Sequence, residues 1–228
     1  MPKTKKCLIF ANGRFPGKPV IKKLLNMEKF TIICADGGAN SIRKTGIIPD
    51  YIIGDMDSIT KDTLEFFKGK CRLRKIKGQD DTDVEKCLKF AISKGFKECI
   101  LVGVIGDRLD HSFGNLSIAV RYSEKTDLTL VTEKSILSVI KGNCIIKTHP
   151  GEYISLYGFN ERTRITSEGL KYSLKNESLV FGKREGTSNE ATGTEVFLKI
   201  SRGPVFLIRE VPAGNKLNPD DAVIQMKK

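Results

Sequence analysis

FTIICADGGANSIRKTGIIPDYIIGDMDS, residues 30–58, alternates apolar runs with glycine and acidic turns. An apolar run ending at Cys34 meets the glycine turn ADGG, a short helical pattern ANSIRKTG follows, and a second apolar run, DYIIG, ends in two acids. Strand, helix, strand over so short a span implies two parallel strands joined by a crossover. The same alternation extends in both directions. KCLIFANG and a helical segment from Lys18 to Met27 precede it. After it come the helix-like TKDTLEFFKG, the strand-like CRLRKIKG, a strong helix, the strand ECILVGVIG and a helix from Ser112 to about Ser123. The expected first domain, residues 1–130, is therefore an α/β, Rossmann-like, mainly parallel sheet covered on both faces.

From about Asp127 the pattern changes to strand after strand: DLTLVTE, SILSVIKG, CIIKTHPG, EYISLYGF, LKYSLKN, SLVFGKRE, TEVFLKI and PVFLIRE, separated by Gly, Asn, Ser or Pro turns. Short strands at that spacing predict a second domain, residues 131–228, built as an antiparallel β-sandwich.

Composition narrows the function classes. The 228-residue chain is 39% hydrophobic, an ordinary globular composition, and has no apolar run long enough for a bilayer. The start MPKTKKCLIF has too short an apolar run for a signal peptide, so a cytoplasmic protein with no membrane partner is expected. Six cysteines without a CxxC pair, and only two histidines, support neither zinc nor a disulfide framework. The net charge of +12 is spread along the chain, aromatics make up 7% and Trp is absent, which argues for a solvated basic surface and against nucleic acid as a partner. Such a surface also attracts a polyphosphate.

Four loops follow strands on what would be one carboxyl edge, where open α/β sheets bind ligands. In GDMDS, Asp55 and Asp57 lie two apart in an extended segment, so their carboxylates point the same way. They hold a cation, share a proton or simply close a turn in water. ADGGAN offers Asp36, Gly37, Gly38 and Asn40 ahead of a helix, a place for close backbone approach or a plain turn. GQDDTDVEKCLKFAISKG holds a capping box, Thr82 with Glu85, then apolar residues at helical spacing. Asp80 and Asp83 near that helix start either oppose its dipole or serve a ligand. GDRLDHSFGN carries Arg108, Asp110, His111 and Asn115, with Ser112 as a cap; Arg108 would clamp a phosphate or pair with Asp110. Acids without a nucleophile elbow or a Cys/His cluster suit a hard cation such as Mg²⁺ and phosphoryl chemistry.

ADGGAN, GIIPDYIIGDMDS, GQDDTDVEKCLKFA and GDRLDHSFGN, in this order, resemble the successive motifs of the thiamin pyrophosphokinase family, and GLKYSL (169–174) and GTSNE (186–190) resemble its second-domain motifs. The resemblance implies Mg²⁺-dependent transfer of pyrophosphate from ATP to the hydroxyl of thiamin, in a homodimer with active sites at the interface. It implies that Asp55, Asp57 and Asp83 hold Mg²⁺ on the ATP phosphates. Asp36, Gly37, Gly38, Asn40, Arg108, Asp110, His111 and Asn115 would contact ATP. Gln79, Asp80 and Thr82 would line the cleft between nucleotide and thiamin, and Tyr172, Ser188 and Asn189 would come from the partner subunit to hold the thiamin ring. Asp80 and Asp83 stand nearest the hydroxyl proton by motif. In GLKYSL, Ser173 stands where the family often has proline. Two rival readings are a metal-dependent phosphohydrolase using water on the same carboxylates, and a basic RNA-binding module whose acidic loops are structural.

Overall fold

The computed structural model describes residues 5–78, 80–106, 108–211 and 225–227. The chain divides into two compact units between Glu133 and Lys134.

The first unit carries strands β1 (Lys6–Phe10), β2 (Thr31–Ala35), β3 (Tyr51–Gly54), β4 (Arg72–Lys75), β5 (Glu98–Val102) and β6 (Asp127–Val131). They pair in parallel in the order β4-β3-β2-β1-β5-β6. The central strands are apolar on both faces because helices cover both. Cys7 to Phe10, Ile52, Ile53 and Leu101 are fully buried. Between the strands lie α1 (Lys18–Met27), α2 (Gly38–Arg43), α3 (Lys61–Phe67), α4 (Asp83–Ser93) and α5 (Leu109–Tyr122). Val20, Ile21 and Leu24 form the buried stripe of α1, and Cys87, Leu88 and Ala91 that of α4. The edge strand β4 is exposed along its whole length and carries three cations in RLRK, which discourages pairing with another chain. The strand at Asp127, which opens the strand-rich stretch in the sequence, is the last parallel strand of this unit.

The second unit is antiparallel and holds β7 (Ser135–Lys147), β8 (Tyr153–Gly158), β9 (Arg164–Glu168), β10 (Gly186–Glu190), β11 (Glu195–Glu210) and β12 (Gln225–Lys227). The long β11 pairs with β7 throughout, with β9 along its first half and with β8 along its second. The register shift between Ile200 and Val205 divides those halves, and one apolar core, including Ile146, Leu156, Ile165, Leu198 and Leu207, spans both. SILSVIKG with CIIKTHPG, and TEVFLKI with PVFLIRE, are therefore single strands where the sequence reads two each. Gly142 (φ 69°) and Gly203 (φ 153°) mark turns the ladder passes through. LKYSLKN and SLVFGKRE are not strands: Leu170, Leu174 and Leu179 are buried from a loop whose only ladder contacts are single bridges, so their spacing imitates a strand. No helix among the described residues is long and apolar enough to cross a membrane.

Candidate active site

In the parallel sheet, the loops after β1, β2, β3 and β5 share the carboxyl edge with the start of α4. The acids meet there. Asp36 leaves β2 at φ 25°, a strained conformation for a side-chain-bearing residue, fixed by its own N–H donating to Ile53 O at 2.9 Å. Its carboxylate is fully buried. Met56 at φ 66° turns the GDMDS backbone so that the N–H groups of Asp57 and Ser58 donate to Asp36 Oδ2 at 3.1 and 3.3 Å. Asp36 Oδ1 is buried and has no hydrogen-bond partner among the described residues.

Carboxylate oxygens of Asp36, Asp55 and Asp57 lie within 4.8 Å of one another. Gly54 makes this approach possible: a Cβ there would come within 2.6 Å of Asp36 Cβ and 3.1 Å of Asp83 Oδ1. Asp83 thus faces the same point from the first turn of α4. Burial pushes the Asp36 carboxyl up to about 6, against the Ser58 N–H that lowers it, and the charges of Asp83 and Asp55 raise it further. Burial also acts to raise Asp55, but the Asp57 N–H, Asp36 and Lys86 outweigh it and hold Asp55 below the ordinary range.

Lys86 is the residue that sequence reasoning misses. Its ammonium, 4% exposed, lies 3.0 Å from Asp83 Oδ1 and 3.6 Å from Asp55 Oδ2. Burial alone would lower its pKa, and the two carboxylates outweigh that and raise it. The signal that finds it is its i,i+3 spacing from Asp83. Thr82 caps α4 by accepting from Glu85 N–H at 3.2 Å, but the capping box is only half formed. The Glu85 carboxylate turns to Tyr122 Oη (2.7 Å) and Arg121 (3.1 Å) and pins α4 to α5.

The other candidates divide by what their side chains do. Asn40 holds the GDMDS loop, donating to Ser58 O at 2.8 Å and accepting from Thr60 N–H at 3.0 Å. Asn115 is buried and donates to Val104 O at 2.7 Å, tying α5 to the loop after β5. Gly38 lets the turn sit on β1, since a Cβ would come within 2.5 Å of Phe10 O. Arg108 and Asp110 form an exposed two-point ion pair, 2.5 and 3.3 Å. Arg108 also occupies the N-cap position of α5, without a side-chain capping bond, so the helix starts before Ser112, whose hydroxyl instead accepts from Gly106 N–H at 3.2 Å. His111 and Asp80 are exposed. Gln79 lies outside the described residues.

In the second unit, Tyr172 is 68% exposed while Asn189 is buried. Asn189 Oδ1 accepts from Tyr172 N–H at 3.0 Å and its Nδ2 donates to Tyr172 O at 2.8 Å, so this amide fixes the backbone that presents the ring. Ser188, at φ 53°, donates its N–H to Ser155 Oγ at 3.0 Å.

Comparison with known proteins matches each unit to a family model. The family model described as the catalytic domain of thiamin pyrophosphokinase matches residues 21–132, and that of the vitamin B1 binding domain matches 143–205. Thiamine pyrophosphokinase 2 of Arabidopsis thaliana is 30% identical over 191 residues, 69% of each chain. The thiamine pyrophosphokinase of Bacillus subtilis is 29% identical over 190 residues, 78% of this chain and 86% of the relative. The crystal structure of a B. subtilis thiamine pyrophosphokinase superposes with a TM-score of 0.78 at 23% identity, covering 90% of this chain and 99% of that one. A Candida albicans thiamin pyrophosphokinase also superposes at 0.78, with 19% identity, over 91% and 90% of the two chains. At these identities the two structures speak for the shared fold.

Proposed function

The chain belongs to the thiamin pyrophosphokinase family, and on that premise we propose that it uses Mg²⁺ and ATP to convert thiamin to thiamin diphosphate, releasing AMP. The observation that carries this reading is the acidic cluster on the carboxyl edge, above all the buried Asp36 Oδ1 that lacks a partner. A buried carboxylate oxygen left unpaired among other carboxylates suits a hard, oxygen-seeking cation. Asp55, Asp57 and Asp83 would hold Mg²⁺, with Asp36 closing the site from below. When bound, Mg²⁺ would neutralise phosphate charge and fix the reacting geometry.

The remaining work falls to the chain's own groups. Lys86 pairs with Asp83 and Asp55 and adds positive charge beneath the phosphates. Gly37 and Gly38 let the turn that faces ATP pack on Asn12 and β1, and Asn40 holds the GDMDS loop beside it. Arg108 exchanges its exposed partner Asp110 for phosphate oxygens and stabilises charge moving toward the departing AMP. The thiamin hydroxyl attacks the β-phosphorus in line. The bond from that phosphorus to the α,β-bridging oxygen breaks, and AMP leaves with the oxygen. Of the two acids placed by motif near the hydroxyl, Asp83 is committed to Lys86, which leaves Asp80 to accept the proton. Asp110, His111 and Asn115 support the nucleotide side, and Gln79 and Thr82 the thiamin side.

Tyr172 offers an exposed π face to the thiazolium cation, with Asn189 fixing its backbone and Ser188 beside it. We assign two copies per enzyme, in which Tyr172 of the partner subunit completes each site, and a cytoplasmic setting in which the six cysteines stay reduced.

The test is to incubate purified protein with ATP, Mg²⁺ and thiamin, with thiamin-free and EDTA controls, and to resolve the products. Thiamin-dependent AMP in step with thiamin diphosphate is expected. Phosphate or pyrophosphate without thiamin would replace this reading with a phosphohydrolase, and absence of turnover would remove it.

A further inference from the structure

We propose that Asn12 is a direct substrate ligand, donating its side-chain amide to a phosphate oxygen of ATP beside the acidic cluster. The proposal rests on the kinase reading above. Asn12 lies outside the residues matched by the catalytic-domain model, 21–132.

β1 is the strand at which the chain order reverses: β2, β3 and β4 lie on one side of it, β5 and β6 on the other. Crevices at such points, at the carboxyl ends of the strands, are where open α/β sheets take ligands. The loop after β1 is held there on a backbone rail. Ala11 N–H donates to Val102 O at 2.8 Å, Gly13 N–H to Gly103 O at 2.6 Å and Arg14 N–H to Ile105 O at 3.0 Å. The rail requires glycine, because a Cβ on Gly13 would lie 2.4 Å from Gly103 O. Asn12 therefore belongs to a fixed segment, although its side chain is exposed.

That side chain is aimed at the reaction centre. The point where a Cβ on Gly37 would sit is 2.7 Å from Asn12 Nδ2, 2.9 Å from its Cγ and 3.1 Å from Ser58 Cβ. The amide lies flush on the ADGG turn, next to Asp36 and the GDMDS loop. Asn40 and Asn115 spend their amides on backbone groups. Asn12 makes no hydrogen bond among the described residues, so packing orients it and its donors remain for a ligand. An amide N–H adds a neutral donor where another acid would repel the triphosphate and another cation would compete with Mg²⁺.

The experiment compares the full-length wild type with Asn12→Ala and Asn12→Asp. Calorimetry measures binding of Mg²⁺ with α,β-methylene-ATP, which cannot be cleaved at the reacting bond, and steady-state kinetics measures both substrates. Asn12→Ala is expected to weaken analogue binding and raise the KM for ATP roughly ten- to hundredfold, as for one hydrogen bond to a charged oxygen. The KM for thiamin should stay unchanged and the melting temperature should match wild type. Asn12→Asp should lose more, because it sets a negative charge against phosphate. Analogue binding by Asn12→Ala within about twofold of wild type would overturn the proposal. A wild type that binds the analogue but makes no thiamin diphosphate would refute the kinase reading and leave the Asn12 contact decided by the binding data. A wild type that does not bind the analogue would overturn both.

Discussion

Replacing Asp36 by Asn should stabilise the metal-free protein while abolishing turnover. Asp36 is fully buried, and its carboxyl is pushed from an ordinary 3.8 to about 6, first by burial and then by the charges of Asp83 and Asp55. A carboxyl whose folded pKa is raised binds more protons in the native state than in the unfolded state across that interval. Stability therefore falls as pH rises from 3.8 to about 6, and the loss is complete above it. At about 1.36 kcal/mol per pH unit the penalty reaches about 3 kcal/mol near pH 8. Asn keeps an oxygen to accept from the Asp57 and Ser58 N–H groups, and it sets an NH₂ where Oδ1 now lacks a partner, facing carboxylates.

Urea unfolding with EDTA is the assay. Asp36→Asn should be more stable than wild type by about 2–3 kcal/mol at pH 8, and the gap should close to under about 1 kcal/mol at pH 4. Added Mg²⁺ should then stabilise wild type and leave the variant unmoved. A variant that is less stable at pH 8, or an advantage that does not change with pH, would refute the reasoning. The first result would mean that the strained turn at Asp36 depends on the carboxylate itself, and the second that Asp36 binds its proton alike in the folded and unfolded chain.

Gly54→Ala puts a methyl group 2.6 Å from Asp36 Cβ and 3.1 Å from Asp83 Oδ1, so it should cost about 1–3 kcal/mol in denaturant and remove activity, whereas Ala at Gly193, with nothing near its Cβ, should leave activity intact. Tyr172→Ala should raise the KM for thiamin about tenfold through loss of the π face and leave the KM for ATP unchanged, with initial rates at varied thiamin as the measurement. In the second unit the buried Arg209 reaches Glu152 Oε1 at 2.6 Å and Lys147 O at 2.7 Å; Arg209→Ala strands the buried carboxylate and should cost about 3–5 kcal/mol by urea titration.

The parallel sheet was legible because its strands are short, apolar on both faces and separated by helical patterns, a texture that few other folds produce. The second unit was legible as antiparallel but not strand by strand. β7 and β11 run through positions that look like turn glycines, since a bulged ladder tolerates a positive φ without ending. Leu170, Leu174 and Leu179 looked like strand residues because burial was all that their spacing reported. Pattern counts which residues leave water; it does not say which backbone groups pair.

The site follows the same division. Asp55 and Asp57 were readable from their spacing, and Asp36 and Asp83 from the loops they sit in, because acids at strand ends have few structural uses. What places them within reach of one another is backbone: the left-handed turns at Asp36 and Met56, and the missing Cβ of Gly54. Neither left-handed turn uses glycine, so nothing in the sequence marks it. Lys86 was hidden for a different reason. It stands opposite the apolar stripe of α4, a position at which a lysine reads as surface like the chain's many others, yet it is buried beside Asp83 and Asp55. A buried charge is stable only with a partner, and Asp83 one turn earlier supplies it. The sequence signal for Lys86 was thus its place one turn after Asp83, which makes lysines three residues beyond an acid at a loop-helix junction the place to look for residues that motif spacing passes over.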